Sequence, residues 1–307
     1  MNRVLLIGGA GNLGYELILN SRNNVKYAVL DDFSSSVATK EDLDLLTPYI
    51  FEGNVADYSH VQEAFMAFEP THVFYLATNL SADQKRQLEA HITGLQNVIS
   101  LSEMHNFPIV FYFQSFLTRE SKVSIDEQTP CISRDSYSTW KLAGEFLLRA
   151  YKGQSINLIL GSVLTSRLNL GLVPTLIDRI TSGESIALTK TSRDYVSTKD
   201  FDESISKLLN KPLHSDTFLL GSGIPTSSEN MFEILCEQLG IEVESSKVSF
   251  VEISSSNPET ILLNRSSFFD TTSDSYKDEI LASLRKIIEN RRNSKSSIRQ
   301  HHRLESK

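Results

Sequence analysis

Val4-Leu5-Leu6-Ile7-Gly8-Gly9-Ala10-Gly11-Asn12-Leu13-Gly14 is the stretch that decides the fold of this chain. Its first four residues are apolar without alternation, which predicts a buried strand, and the glycine-rich turn after them opens a helical pattern. The turn can be read as GxxGxxG from Gly8 or as GxGxxG from Gly9. In either register the glycines allow a tight turn and let the backbone approach a pyrophosphate, whose charge the first N–H groups of the helix can bind. The residues that we expect to line this phosphate site are Gly8, Gly11, Asn12, Leu13 and Gly14.

Strand and helix patterns alternate over the first 160 residues of the chain. The apolar runs that predict strands are Val4–Ile7, Lys26–Leu30, Tyr49–Phe51, His72–Leu76, Ile109–Phe113 and Ile156–Leu160. The helical patterns between them lie near residues 12–22, 58–68, 82–105 and 135–152. Apolar strands separated by helices are typical of a parallel sheet that is covered on both faces, and right-handed crossovers then make it doubly wound. The predicted fold class is α/β, with a doubly wound parallel Rossmann-type sheet and a smaller C-terminal substrate-binding lobe.

The second half of the chain is less regular and predicts the smaller lobe. Helical patterns at Leu172–Thr181 and Ser228–Leu239 flank a strand pattern at Phe218–Leu220. A last helix is predicted over Ser275–Glu289, and the basic segment after it lacks apolar periodicity, so we expect that segment to be disordered. The predicted divisions are a dinucleotide-binding domain at residues 1–165 that also receives segments near 191–220, a substrate lobe at 166–190 and 221–289, and a basic tail at 290–307.

Composition and charge narrow the classes of function. The 307 residues are enough for one large or two modest domains. A net charge of −8 argues against general binding to nucleic acid or to anionic membranes. No apolar run reaches the roughly 18–20 residues that span a bilayer, and we expect no cleaved signal peptide. Cys131 and Cys236 are far apart and lack CxxC or HxxxH patterns, so we expect no disulfide framework, no metal site and a reducing, cytoplasmic location.

Acidic residues follow the second and third predicted strands. Asp31 and Asp32 lie about 20 residues past the glycines, where a carboxylate can accept a hydrogen bond from the ribose 2′-OH of NAD. The same carboxylate would repel a 2′-phosphate, and Phe33–Ser36 offers no basic side chain to bind one, so NAD is favoured over NADP. A turn or helix-capping role is the alternative for Asp31. Asp57 could contact the adenine amino group, or it could simply cap the next helix.

Tyr137 and Lys141 form a YxxxK pattern on the helix after the fifth predicted strand. The i, i+4 spacing puts the phenol and the ammonium on one helix face. Because a nearby positive charge favours phenolate, we expect the pKa of Tyr137 to fall from about 10 towards the working pH, which would make it a general acid–base. Ser115 follows that strand and is the natural third member, since its hydroxyl could hold the reacting oxygen near the phenol. An exposed helix face and a polar strand end are the alternatives.

In this order the motifs resemble the extended short-chain dehydrogenase/reductase family, and most closely its nucleotide-sugar epimerase/dehydratase/reductase branch. The resemblance covers residues 1 to about 205 and includes Ala77 after the fourth strand, between the glycine-rich turn and Ser115. Two further segments agree with it. His91–Val98 is similar to the family's NVxGTxNV helix, and Arg193–Asp200 is similar to its RDYVxVxD segment.

The resemblance implies a role for each matched residue. Tyr137 would be the general acid–base, and Lys141 would lower its pKa and bind the nicotinamide ribose. Ser115 would orient the substrate oxygen, and Ala77 would contact the cofactor. Arg193 would hold the diphosphate of a nucleotide-sugar substrate, a task suited to a guanidinium fork, and the alternative is a surface ion pair with Asp194 or another neighbour. The resemblance also implies a homodimer formed through two helices of each subunit.

Departures from the family pattern reduce the number of reactions that we expect of this chain. Dehydratases of this family carry Asp-Glu directly after the active Ser or Thr, whereas Ser115 is followed by Phe116 and Leu117, so dehydration is disfavoured. The family's RPxNVYG stretch is replaced by Leu160–Ser166, and His91 stands where the family often has Asn. We therefore expect an NAD-dependent nucleotide-sugar epimerase that acts at C4 by transient hydride transfer. An NAD(P)H-dependent nucleotide-sugar 4-ketoreductase and a catalytically silent dinucleotide-binding protein are the alternatives.

Overall fold

The computed structural model describes residues 1–21, 24–79, 83–120, 124–211, 214, 216–252, 261–269 and 274–305, with side chains up to residue 293. The strands are β1 (Asn2–Ile7), β2 (Val25–Asp31), β3 (Ile50–Glu52), β4 (His72–Tyr75), β5 (Ile109–Ser115), β6 (Ser124–Ile125), β7 (Ser155–Leu160), β8 (Ser162–Val163), β9 (Ile186–Thr189), β10 (Ser192–Val196), β11 (Asp216–Leu220), β12 (Pro225–Ser227), β13 (Val248–Val251) and β14 (Leu262–Leu263). The α-helices are α1 (Asn12–Leu19), α2 (Lys40–Asp44), α3 (Tyr58–Phe68), α4 (Gln84–Leu88), α5 (Gly94–Met104), α6 (Ser136–Leu148), α7 (Leu172–Ser182), α8 (Thr198–Asn210), α9 (Ser228–Leu239) and α10 (Tyr276–Glu305). A π-helical turn at Glu89–Thr93 joins α4 to α5, and 3₁₀ turns span Phe116–Thr118 and Ser245–Lys247.

A parallel sheet lies at the centre of the structure. Within the described ranges it has seven strands in the order β3-β2-β1-β4-β5-β7-β11. The strand order reverses between β1 and β4, which is the point where doubly wound sheets bind ligands beyond the carboxyl ends of their strands. The predicted α/β Rossmann-type fold is therefore confirmed, and the glycine-rich turn lies at this switch point.

β1 shows why its sequence is a continuous apolar run. Val4 and Leu6 belong to the apolar cluster on one face of the sheet, whereas Leu5 and Ile7 belong to the cluster on the other. All four side chains are fully buried. Since both faces are covered, the strand needs no polar alternation.

A third apolar cluster lies in the second half of the chain. It joins α7, α9 and α10 through side chains that include Leu176, Leu235 and Leu284. Among the described residues, small sheets of strand order β12-β10-β8 and β13-β9 accompany it. A further small sheet, β14-β6, contributes Ile125 and Leu263 to a separate apolar cluster beside the central sheet. This separate cluster agrees with a smaller lobe, and the domain boundaries themselves stay a prediction.

The last helix is longer than predicted. α10 continues past Glu289, so residues 290–293 are helical where we expected a disordered tail to begin. Asn290 Nδ2 donates to the carbonyl of Ser166 at 2.9 Å, and Arg291 Nη1 donates to the carbonyl of Leu168 at 3.4 Å. These anchors explain why the helix does not end at Glu289. Neither α10 nor any other helix of the described ranges has the length and apolar character needed to cross a membrane.

Candidate active site

The turn between β1 and α1 requires glycine at two positions. Gly8 has a φ of +78°, and a Cβ there would lie 2.7 Å from both the N and the Cα of Ala77. A Cβ on Gly14 would lie 2.4 Å from the carbonyl oxygen of Gly9. With Gly11 at the N-cap of α1, these positions fit the GxxGxxG register that starts at Gly8. The turn therefore packs directly against Ala77, two residues after the end of β4.

The N-terminus of α1 is suited to an anion. Gly11 supplies no side-chain cap, and the first turn of the helix has no acidic residue. Leu13 packs against the apolar core, while Asn12 Nδ2 donates to Oδ1 of Asn169 at 2.9 Å. The Oδ1 of Asn12 is buried without a partner among the described residues. N–H groups at such a helix start bind phosphate well.

The three predicted acidic residues have different surroundings. Asp31 is half-buried, and its two oxygens accept the N–H groups of Ala10 and Phe33, each at 2.9 Å. Burial raises the pKa of Asp31, and those N–H donors oppose the rise. Asp32 is exposed and binds Ser34 through its Oδ1. Asp31 thus ties the loop after β2 to the glycine-rich turn.

Asp57 is the N-cap of α3. Its Oδ1 accepts the N–H of Ser59 at 2.9 Å and the hydroxyl of the same residue at 2.7 Å. These hydrogen bonds lower the pKa of Asp57. Its geometry is that of the capping alternative raised from the sequence, and a contact with adenine stays a prediction.

Ser115 and Tyr137 meet at the carboxyl end of the sheet. Ser115 is the last residue of β5, and Tyr137 is the second residue of α6, which begins after the capping residue Asp135. The Ser115 hydroxyl accepts the N–H of Leu117 at 3.2 Å and lies close enough to the phenol of Tyr137 to influence its pKa. Burial raises the pKa of Tyr137 to about 12, the nearby Ser115 hydroxyl opposes the rise, and the charge of Asp135 adds to it.

Lys141 lies one helical turn after Tyr137 and is buried. Its Nζ donates to the carbonyl of Phe113 at 2.9 Å, and burial lowers the pKa of the amine to about 8. The predicted fall in the pKa of Tyr137 is therefore wrong, because burial raises that pKa instead. The phenol is buried, and the amine that should stabilise a phenolate is instead bound to a backbone carbonyl.

His91 is a neighbour of Tyr137 to which the sequence assigned no role. Its ring is fully buried and meets the ring of Tyr137 edge-on, with 6.3 Å between ring centroids. Its Nε2 hydrogen-bonds Thr78 Oγ1 at 3.1 Å. Burial, with the charge of Lys141 adding to it, lowers the pKa of His91 to about 3, so the imidazole is neutral at working pH. The π-helical turn that carries it is a feature often found at functional sites.

Arg193 lies on β10 and is half-buried. Its Nη1 donates to the carbonyl of Ser192 at 2.9 Å, and burial lowers its pKa. The carboxylate of Asp194, its neighbour in sequence, accepts the N–H groups of Ser222, Gly223 and Leu263. Asp194 is therefore an anchor for the surrounding loops rather than the surface partner considered for Arg193.

The chain is similar to known proteins in its sequence and in its structure. A family model described as the NAD dependent epimerase/dehydratase family matches residues 4–221. A search of curated protein sequences finds no match.

Solved structures are similar over almost the whole chain. The enzyme WbmG of Bordetella bronchiseptica, crystallised with NAD and UDP, is 26% identical with a TM-score of 0.84, and the match covers 92% of this chain and 94% of that one. UDP-glucose 4-epimerase of Thermus thermophilus, crystallised with NAD, is 20% identical with a TM-score of 0.79 over 94% and 98% of the two chains. dTDP-glucose 4,6-dehydratase of Bacillus anthracis str. Ames, also with NAD, is 14% identical with a TM-score of 0.77 over 94% and 96%. The last two share the fold with this chain.

Proposed function

The chain belongs to the NAD dependent epimerase/dehydratase family, and from this premise we propose that it is an NAD-dependent nucleotide-sugar epimerase acting at C4 of the sugar. Family membership confirms the resemblance found in the sequence. The observation that carries the proposal is that Ser115 at the end of β5 and Tyr137 on α6 lie close to each other, with Lys141 one helical turn after Tyr137. These three side chains have the chemistry to move a proton to and from a sugar hydroxyl.

The residues around the glycine-rich turn fit NAD. The uncapped start of α1 would bind the pyrophosphate, and the carboxylate of Asp31 would accept the ribose 2′-OH. Arg167 lies near the loop after β2, where its Nη1 donates to the carbonyl of Val37, but its guanidinium pairs with both oxygens of Asp42. That pairing leaves it poorly suited to a 2′-phosphate and supports NAD over NADP. Bound NAD would supply the hydride acceptor and donor for C4.

Proton transfer would be the work of Tyr137. Its phenol would take the proton of the sugar 4-hydroxyl as C4 is oxidised to a ketone, and it would return that proton to the oxygen when C4 is reduced from the other face. Ser115 would hold the reacting oxygen. Lys141, protonated below its pKa of about 8, would bind the nicotinamide ribose, and its positive charge would favour phenolate on Tyr137, one helical turn away.

The sequence after Ser115 supports epimerisation over dehydration. Removal of water from a 4-keto sugar needs an acid and a base at the neighbouring carbons, and the residues that follow Ser115 are Phe116 and Leu117. Epimerisation needs the bound cofactor and one group that takes and returns the hydroxyl proton, the role proposed for Tyr137. Arg193 is proposed to hold the substrate diphosphate, and because WbmG was crystallised with UDP, UDP-hexoses are the first substrates to test.

We also propose a homodimer, because large apolar side chains are exposed on two adjacent helices. Leu88 on α4 is 42% exposed and Phe146 on α6 is 51% exposed, and these two helices are in contact with each other. Large apolar side chains exposed on adjacent helices are typical of an interaction surface. Light scattering would give twice the mass of the 34.5 kDa chain if the proposal is right, and the mass of one chain if it is wrong.

The activity is tested by incubating the protein with UDP-glucose or UDP-galactose without added reductant and following the C4 epimers by proton NMR. Interconversion supports the epimerase. Oxidation of added NADH or NADPH only when a 4-keto sugar nucleotide is present would favour the ketoreductase. Binding of NAD without turnover in either assay would favour the silent protein.

A further inference from the structure

Gln114 joins the strand of Ser115 to the helix of Lys141. Its Oε1 accepts the N–H of Ser115 at 2.9 Å, and its Nε2 donates to the carbonyl of Lys141 at 3.0 Å. The same Nε2 donates to Oε2 of Glu145 at 2.9 Å. Gln114 is 2% exposed, so these hydrogen bonds form away from water. One side chain therefore fixes both the end of β5 and the middle of α6.

Arg119 and Glu145 complete a buried polar network around Gln114. Arg119 Nη2 donates to the two carboxylate oxygens of Glu145 at 2.9 and 3.0 Å, and both residues are 4% exposed. Arg119 Nη1 donates to the hydroxyl of Thr118 at 3.0 Å, and that hydroxyl donates to the carbonyl of Ser115 at 2.7 Å. Ser115 is thus held through its N–H by Gln114 and through its carbonyl by Thr118.

We propose that Gln114, Arg119 and Glu145 are positioning residues that hold the Ser115 hydroxyl, the Tyr137 phenol and the Lys141 amine in register. The reaction they serve rests on the proposed function. None of the three needs to touch substrate or cofactor. They act by fixing how far α6 slides and rotates along the carboxyl end of β5.

Burying this polar network costs free energy, and that cost favours a role beyond stability. Burying a charged pair removes it from water, and well-packed apolar residues often give the same stability or more. Apolar residues would not fix the relative position of α6 and β5 as closely. Side-chain hydrogen bonds constrain both distance and angle, whereas dispersion contacts tolerate sliding. Proton transfer needs the reacting groups to be placed accurately, since a misplacement of about 1 Å can cost roughly 100-fold in rate.

The first measurement compares three variants in the epimerase assay. Gln114→Met keeps the volume of the side chain and removes all three hydrogen bonds, and Arg119→Met breaks the ion pair. Arg149→Met is the matched control, because Arg149 contacts the same Glu145 oxygen at 3.4 Å but its side chain is 64% exposed. We expect kcat to fall about 10- to 100-fold in the first two with KM within about threefold, and no change in the control.

The second measurement does not depend on activity. The Lys141 amine has a pKa of about 8 because it is buried, and it donates to the carbonyl of Phe113. Carbon-13 NMR of the lysine Cε, assigned with Lys141→Met, follows its titration. In Gln114→Met we expect the midpoint to rise by about one pH unit or more towards the ordinary value of about 10.4, because a helix that can slide exposes the amine. Arg149→Met should leave the midpoint unchanged.

Each outcome decides the proposal. If Gln114→Met and Arg119→Met lower the melting temperature but match Arg149→Met in kcat and in the Lys141 midpoint, the network is merely structural and the proposal is wrong. If Arg119→Met does not fold, Gln114→Met alone gives the answer. If the wild type shows no turnover, the proposed function fails while the Lys141 titration still tests the positioning role.

Discussion

Replacing Gly8 by Ala tests the close approach of the glycine-rich turn to Ala77. The added Cβ would need a φ of +78°, which costs a non-glycine residue about 1–2 kcal/mol. It would also lie 2.7 Å from backbone atoms of Ala77, and forced overpacking of this kind costs about 1–3 kcal/mol. We therefore expect the free energy of unfolding to fall by roughly 2–5 kcal/mol. Because the turn must move, the affinity for NAD should fall about tenfold or more.

The matched control for this prediction is Gly240→Ala. Gly240 has a φ of +66°, and a Cβ there meets nothing within 4 Å, so it isolates the backbone cost of about 1–2 kcal/mol. Urea unfolding gives the two free energies, and calorimetric titration gives the two affinities for NAD. Equal losses of stability in the two variants, with equal NAD affinity, would refute the close approach and its role in binding.

The remaining predictions concern Tyr137, Lys141 and Asp31. Tyr137→Phe should keep the affinity for NAD and lower kcat by about 10²–10⁴-fold, and an unchanged rate would remove Tyr137 from the mechanism. Burial lowers the pKa of Lys141 from 10.5 to about 8, so the unfolded chain binds more protons than the folded one between these values. The free energy of unfolding should therefore rise by roughly 3 kcal/mol from about pH 8 to about pH 10.5 through this group, and urea unfolding of Lys141→Met should lack that part of the rise. Asp31→Ala should relax the discrimination against NADP in binding titrations, and unchanged discrimination would mean that the carboxylate does not face the ribose.

Helices and strands that depend on the spacing of nearby apolar residues could be predicted from the sequence. α9 spans Ser228–Leu239, as its apolar spacing predicted, and β1 with its glycine turn followed from four buried apolar residues. The missed helix α8 had a usable signal, because Phe201, Ile205 and Leu208 repeat at helical spacing after the capping residue Ser197. The continuation of α10 past Glu289 had no such signal in the sequence, because it depends on contacts with residues more than 120 positions away.

The backbone positions of the candidate site could be predicted, but its electrostatics could not. The sequence predicted that Ser115 ends a strand and that Tyr137 and Lys141 lie one turn apart on the next helix, because helix and sheet periodicity fix these positions. Their catalytic roles stay a prediction. The pKa of Tyr137 depends instead on burial, which spacing does not encode. Gln114 contacts residues 27 and 31 positions away, so its role became visible only when β5 and α6 were packed together.

In the proposed reaction, Tyr137 and its neighbours serve the removal of a hydride from C4 of the sugar and its return to the same carbon. The most direct test of this proposal is conversion of UDP-[4-²H]galactose by the wild-type protein without added reductant, with the product analysed by mass spectrometry and NMR. We expect UDP-glucose that retains the deuterium at C4, because a bound cofactor that accepts the label can give it back to the same carbon. UDP-glucose that has lost the deuterium to water, or no UDP-glucose at all, would contradict it.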